Sequence, residues 1–136
     1  MIEPSFVELR MRVTAPMQDR RLILAGDAAH LITPAGGKGM NLAIQDAIEL
    51  ALGLIDALGP NGDSTRLDGY SATRLPVIWR TQAFSRWMLR MMLAGSDAAG
   101  VAEFGWGLKQ GWVSALQHDP LLARWFAHAY AGVDAD

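Results

Sequence analysis

Between Leu24 and Asn41 the sequence reads LAGDAAHLITPAGGKGMN, and this run restricts the fold more than any other part of the chain. The apolar segment Arg21 to Ala25, RLILA, stops at Gly26-Asp27, as a strand buried on both faces would. Residues 30 to 40 then hold one proline and three glycines, the chemistry of a loop whose backbone approaches a neighbour closely. Next comes a helical pattern. From Asn41 to Leu58 apolar residues at 44, 48, 51, 55 and 58 keep helical spacing, and Gly59-Pro60-Asn61-Gly62 ends it.

A strand end, a glycine-rich turn and a helix beginning near Gly39 together suit an electron-rich ligand. The first amides of a helix have no internal acceptor and sit at the positive end of its dipole. Gly36, Gly37 and Gly39 carry no side chain to obstruct an approach to them. Asp27, at the carboxyl end of the strand, is placed to accept hydrogen bonds from hydroxyls. These residues by themselves fit a phosphate, a nucleotide, a flavin or an ordinary tight connection.

The flanks give the rest of the architecture. Phe6 to Val13, FVELRMRV, alternates apolar and charged residues like a half-buried strand, and Ala15-Pro16 ends it. Tyr70 to Met92 predicts a long helix with Val77, Phe84, Met88 and Met91 on one face and Pro76 near its start or at a kink. Small residues break the chain at 94 to 100, and helices follow over Val101 to Gln117 and Leu121 to Tyr130. Asp119-Pro120 supplies the cap and first residue of the last one. The expected fold is α/β but mainly α, with one or two N-terminal strands followed by about four helices. It forms one segment, with strands, turn and first helix in residues 1–58 and a helical region in 63–136.

Composition removes several classes of function. The 136 residues are 51% hydrophobic and 19% charged, enough for one real core. A net charge of -2 gives no bulk attraction for nucleic acid or an anionic membrane. Arg74, Arg80 and Arg86 do not make a basic face either, since six-residue steps turn roughly 240° each. With no cysteine there is no disulfide or thiolate nucleophile, no metal site is expected, and redox chemistry would need a bound cofactor. Ala47 to Leu58, the longest apolar stretch, contains Glu49 and Asp56 and is too short to span a bilayer. No leader pattern follows Met1, so a cytoplasmic location is the default expectation. The five tryptophans, spread over helices among Met and Leu, are expected in packing, and His30 in a structural role.

The order GDAAH, Pro34, GGKGMN and Gln45-Asp46-Ala47 resembles the second FAD-binding motif of the class A flavoprotein aromatic hydroxylases. APMQDRRLILAGDAAH before the turn and YSATRLPVIWRTQAFSRWM after the helix are similar in order and spacing to members acting on 4-hydroxybenzoate. The similarity spans roughly residues 4 to 92. It implies the C-terminal portion of an FAD/NAD(P)-binding, Rossmann-like flavoprotein, because the GxGxxG fingerprint for the ADP part of FAD is absent. By the same resemblance Asp27 binds the ribityl chain, with Gly26 in the same cofactor site, the backbone of Gly39, Met40 and Asn41 faces the flavin pyrimidine ring, and Lys38 adds positive charge nearby. Pro34 would lie beside the substrate ring, with Ala35 where the family usually has a hydroxyl residue. Tyr130, in Ala129-Tyr130-Ala131-Gly132, matches a tyrosine in a chain that deprotonates the substrate phenol.

The implied reaction is hydroxylation of a phenolic acid such as 4-hydroxybenzoate, with FAD as cofactor, NAD(P)H as co-substrate and oxygen. The implied partners are an aromatic small molecule and a missing N-terminal FAD-binding part, without which the chain should be inactive; a homodimer is left open. The alternative is a non-catalytic flavin-binding or helical interaction partner, either a truncated product or one half of a split assembly.

Overall fold

The computed structural model describes residues 10–93 and 101–132. Among the described residues four two-residue strands form two antiparallel pairs. β1 (Arg12–Val13) pairs with β4 (His30–Leu31), and β2 (Gln18–Asp19) pairs with β3 (Leu22–Ile23) across a turn in which Arg20 has φ 53. Of the expected strand Phe6 to Val13, residues 6–9 lie outside the described residues. The strand expected over Arg21 to Ala25 is shorter and is not buried on both faces, since Leu22 is 64% exposed. It is one arm of a hairpin, exposed at Leu22 and packed on the core from Ile23 and Leu24. The region expected as loop, 30 to 40, starts with β4, whose pairing to β1 draws the turn back onto the core.

Helix α1 covers Gly39–Leu58, α2 is the single turn Thr65–Asp68, α3 is Tyr70–Leu93, α4 is Val101–His118 and α5 is Pro120–Ala131. Asp119 caps α5, its Oδ1 accepting from the amides of Leu121 (2.9 Å) and Leu122 (3.2 Å), and Gly132 closes the helix at φ 77. Pro76 sits inside α3 on its exposed side. The carbonyl one turn earlier, deprived of its amide partner, therefore faces water. The mainly helical architecture with a few short strands agrees with the sequence-based expectation. Among the described residues no helix is long and apolar enough to cross a membrane.

Met17, Ala29, Leu42, Tyr70 and Ile78 form the core, where α1 and α3 meet the strand segment. Two helical faces differ from those that periodicity suggests. On α1 the buried residues are Leu42, Asp46 and Gly53. The expected stripe, including Ile44, Ile48, Ile55 and Leu58, lies on roughly the opposite side and is exposed, Leu58 by 83%. On α3 the deepest stripe is Tyr70, Arg74, Ile78, Gln82 and Ser85, about 100° round from the Val77 face. Phe84 is buried against α5 beside it. Gly53 allows a tight crossing, since a Cβ there would lie 3.2 Å from the Leu67 backbone of α2.

Aromatic side chains join the last three helices. The Trp87 ring centroid lies 5.2 Å from that of Trp112 and 5.6 Å from that of Trp125, and Phe84 meets Phe126 at 5.8 Å. Trp79 and Trp106 depart from the packing expectation. Both are more than half exposed, and Lys109 Nζ stands 5.1 Å from the Trp106 ring.

Candidate functional site

The turn after β3 is a 3-10 turn, Gly26–Ala28, entered from an extended Ala25. Gly26 has φ 58, and a Cβ there would approach that of Ala43 on α1 to 3.3 Å. Glycine thus meets two demands at once, a left-handed backbone and a close approach to the helix. Asp27 follows on the exposed side, and no hydrogen bond or ion pair among the described residues engages its carboxylate. Its oxygens are open to a ligand.

The second half of the turn leads into α1. The Pro34 carbonyl accepts from the Gly37 amide at 3.0 Å, and Gly36 and Gly37 both have positive φ, 85 and 62. Pro34 is exposed, whereas Ala35 is buried. No side chain caps α1 at Lys38, and the amides of Gly39, Met40 and Asn41 have no acceptor among the described residues. Met40 is 72% exposed. An uncapped helix start of this kind presents donors and a positive dipole end to whatever approaches.

Lys38 and Tyr130, far apart in sequence, come together here. Lys38 Nζ lies 4.5 Å from the centre of the Tyr130 ring, which stacks on Phe126 at 5.8 Å. Burial lowers the Lys38 ammonium below its usual pKa, since it removes water that the charge needs. A cleft of about 210 Å³ beside the pair is lined by Lys38, Asn41, Leu42, Gln45, Thr81 and Gly132 among others. Gly26 approaches α1 about one turn further along, at Ala43.

Behind the turn is a buried polar frame. Asp46, wholly excluded from solvent, accepts from the Gly26 amide at 3.0 Å and from His30 Nε2 at 2.6 Å with Oδ2, and from Arg74 Nε at 2.7 Å with Oδ1. Burial by itself would raise this carboxyl's pKa. The donors His30, Arg74 and Gly26 outweigh it and hold the group below the usual carboxylate range. Tyr70 donates its hydroxyl to the Leu24 carbonyl at 3.1 Å, and burial together with the Asp46 charge pushes its pKa up to about 12. Further along α3, Gln82 Nε2 donates to the Leu31 carbonyl at 2.7 Å and Ser85 Oγ to the Ala35 carbonyl at 2.7 Å. Thr33 Oγ1 is 2.8 Å from Ser85 Oγ.

Sequence reasoning includes Asp46 in the motif Gln45-Asp46-Ala47 but gives it no role, and it does not single out the α3 residues of this frame. Arg74 in particular reads as one of several scattered arginines, yet it is buried. The available signal was the spacing Tyr70, Arg74, Ile78, Gln82 and Ser85, a helical stripe visible only if polar residues are allowed at core positions. His30 is fully buried against Asp46, in keeping with a structural role.

A sequence-family model described as FAD binding domain matches residues 1–85. The chain is 42% identical over 91 residues to p-hydroxybenzoate hydroxylase of Acinetobacter baylyi, covering 67% of this chain and 22% of that protein. It is 36% identical over 103 residues to 6-methylpretetramide 4-monooxygenase of Streptomyces rimosus, covering 74% and 18%. A Burkholderia 4-methyl-5-nitrocatechol 5-monooxygenase is 45% identical over 84 residues, covering 57% and 15%. The chain therefore spans about a fifth or less of the length of these curated relatives.

Proposed function

The chain belongs to the FAD binding domain family, and from its site we propose that it forms the C-terminal, flavin-contacting part of a monooxygenase. That enzyme hydroxylates a phenolic acid such as 4-hydroxybenzoate with NAD(P)H and oxygen. FAD is the cofactor of the family. The observation that carries the reading is the combination of an exposed, unengaged Asp27, in the turn that packs against α1 through Gly26, with three free amides at the start of that helix. Hydroxyl groups and an electron-rich ring edge are the ligand chemistry this combination fits.

Asp27 accepts hydrogen bonds from the ribityl hydroxyls, and the amides of Gly39, Met40 and Asn41 stabilise negative charge on the pyrimidine edge. Bound FAD supplies the electron transfer from NAD(P)H and the activation of oxygen. Exposed Pro34 presents its ring and backbone to the substrate side, while Tyr130, half exposed at the end of α5, takes up the proton of the substrate phenol and passes its own hydroxyl proton to solvent. Lys38 adds positive charge beside that tyrosine.

The exposed stripe Met40, Ile44, Ile48, Leu52, Ile55 and Leu58 supports the further reading that the preceding, FAD-binding part of the protein packs on α1. The test is anaerobic reduction by NADPH and by NADH of the chain assembled with that part, with and without 4-hydroxybenzoate. Faster flavin reduction in the presence of the phenolic acid is expected. Equal rates with and without it would sink the substrate assignment, and failure to retain FAD would sink the cofactor site.

A further inference from the structure

We propose that Asp46 is a positioning residue for the flavin turn: by holding the Gly26 amide it sets the orientation of residues 26 to 28 and so aims the Asp27 carboxylate. This inference rests on the reading of Asp27 as a flavin contact. Asp27 itself has no partner among the described residues, so its direction is decided by the backbone that carries it.

That backbone is fixed at its far end by the Ala29 carbonyl accepting from Thr14 N at 2.8 Å, and upstream by the Leu24 amide donating to Met17 O at 2.8 Å. Between these points the Gly26 amide, donating to Asp46 Oδ2 at 3.0 Å, is the tether that reaches α1. A tether matters at this position because glycine imposes no conformational preference of its own at φ 58.

Asp46 can act as a fixed acceptor because it cannot turn away. His30 Nε2 on β4 shares Oδ2 at 2.6 Å, and Arg74 Nε on α3 occupies Oδ1 at 2.7 Å, so both oxygens are engaged from different elements. The carboxylate is fully buried, which strengthens each of these charge-assisted bonds and keeps water from replacing them. Three elements thus meet on one carboxylate, whose remaining interaction is with the turn. Nothing in the proposed chemistry requires Asp46 to touch flavin or substrate.

The experiment compares the 136-residue chain with its Asp46→Asn and Ile78→Ala variants at a temperature where calorimetry shows each to be folded. Amide exchange and residual dipolar couplings of Gly26, Asp27 and Ala28 report the turn, and riboflavin, which carries the ribityl chain and ring alone, is titrated by fluorescence. Asp46→Asn is expected to speed Gly26 exchange about tenfold or more, to change the couplings of the turn and to weaken riboflavin binding by a similar factor. Ile78→Ala removes buried apolar volume from the shared core without touching the Asp46 hydrogen bonds, and is expected to change the couplings and the affinity much less than Asp46→Asn does. Unaltered turn couplings in Asp46→Asn would overturn the proposal, as would equal losses in both variants, which mark general destabilisation. If the unmodified chain fails to bind riboflavin, the flavin-contact reading of Asp27 falls, while the couplings still decide whether Asp46 orients the turn.

Discussion

Arg74 donates from Nε to Asp46 Oδ1 at 2.7 Å where both side chains are almost wholly excluded from water, linking α3 to α1 at the centre of the molecule. Removing one member of such a pair leaves a buried charge without compensation. Arg74→Met is expected to cost about 3 to 5 kcal/mol in urea unfolding. The Arg74→Met, Asp46→Asn double variant should lose less than the sum of the two single variants, by about 1 kcal/mol or more. Additive losses would mean that the two groups stabilise the fold independently.

The same carboxylate sets the response to acid. Its folded pKa lies below the ordinary value of about 3.9, so as pH falls the unfolded chain takes up the proton first. The stabilisation is complete above the unfolded pKa and is lost as pH falls through the folded one. Stability measured by urea unfolding should therefore drop on going below about pH 4. Asp46→Asn should flatten that acid limb, and an unchanged slope would assign it to other carboxyls.

Tyr70 acts at the opposite end of the scale. Its folded pKa of about 12 exceeds the unfolded value of about 10, so deprotonation favours the unfolded chain. Its contribution is whole below about pH 10 and declines as pH rises toward 12. Tyr70→Phe removes the hydrogen bond to the Leu24 carbonyl, costs about 1 kcal/mol at neutral pH and makes the alkaline limb shallower. Phenolate absorbance followed with pH checks the titration directly. A Tyr70 that ionises near pH 10 in the folded chain would contradict this, given its burial.

Elements governed by their own residues were legible in the sequence. The Asp119-Pro120 start of α5, the span of α1 and the glycine turn all follow from caps, periodicity and φ preferences acting within a few positions. The orientation of α1 was not legible, because Leu42 and Leu50 on one side and Ile44, Ile48 and Ile55 on the other are both apolar. Periodicity finds a stripe without saying what covers it. The α3 stripe was hidden for a different reason. Arg74, Gln82 and Ser85 are tolerable in a core only because Asp46 and the carbonyls of Leu31 and Ala35 meet them, and those partners lie far away in sequence. The strand over 21 to 25 is shorter and more exposed than its apolar run suggests, because such a run does not reveal that its pairing partner is the adjacent hairpin arm. At the site, Asp27 and the glycines were visible through a local motif, whereas the contact of Lys38 with Tyr130 depends on how α5 docks.

Gly26 and Gly37 both have φ near 60, yet their surroundings differ. An added Cβ meets open space at Gly37 but lies 3.3 Å from Ala43 Cβ at Gly26. Gly37→Ala should cost the left-handed strain alone, about 1 to 2 kcal/mol. Gly26→Ala should cost more than that by denaturant unfolding, because α1 must also give way. Equal costs would show that the turn yields without disturbing the helix.

Ile48 and Ile55 stand on the exposed stripe of α1, 54% and 65% accessible, while Leu42 on the same helix is buried in the core. If the stripe is the face on which the preceding part of the flavoprotein packs, its substitutions should separate folding from assembly. Ile48→Lys with Ile55→Lys is expected to change the stability of the isolated chain by no more than about 0.5 kcal/mol, because neither side chain loses much burial. The same pair should abolish retention of FAD when the chain is co-expressed with the preceding part, since two charges would then be buried without partners. Leu42→Lys provides the contrast, because it should unfold the isolated chain itself. Assembly and FAD retention that survive Ile48→Lys and Ile55→Lys would exclude this stripe as the packing face.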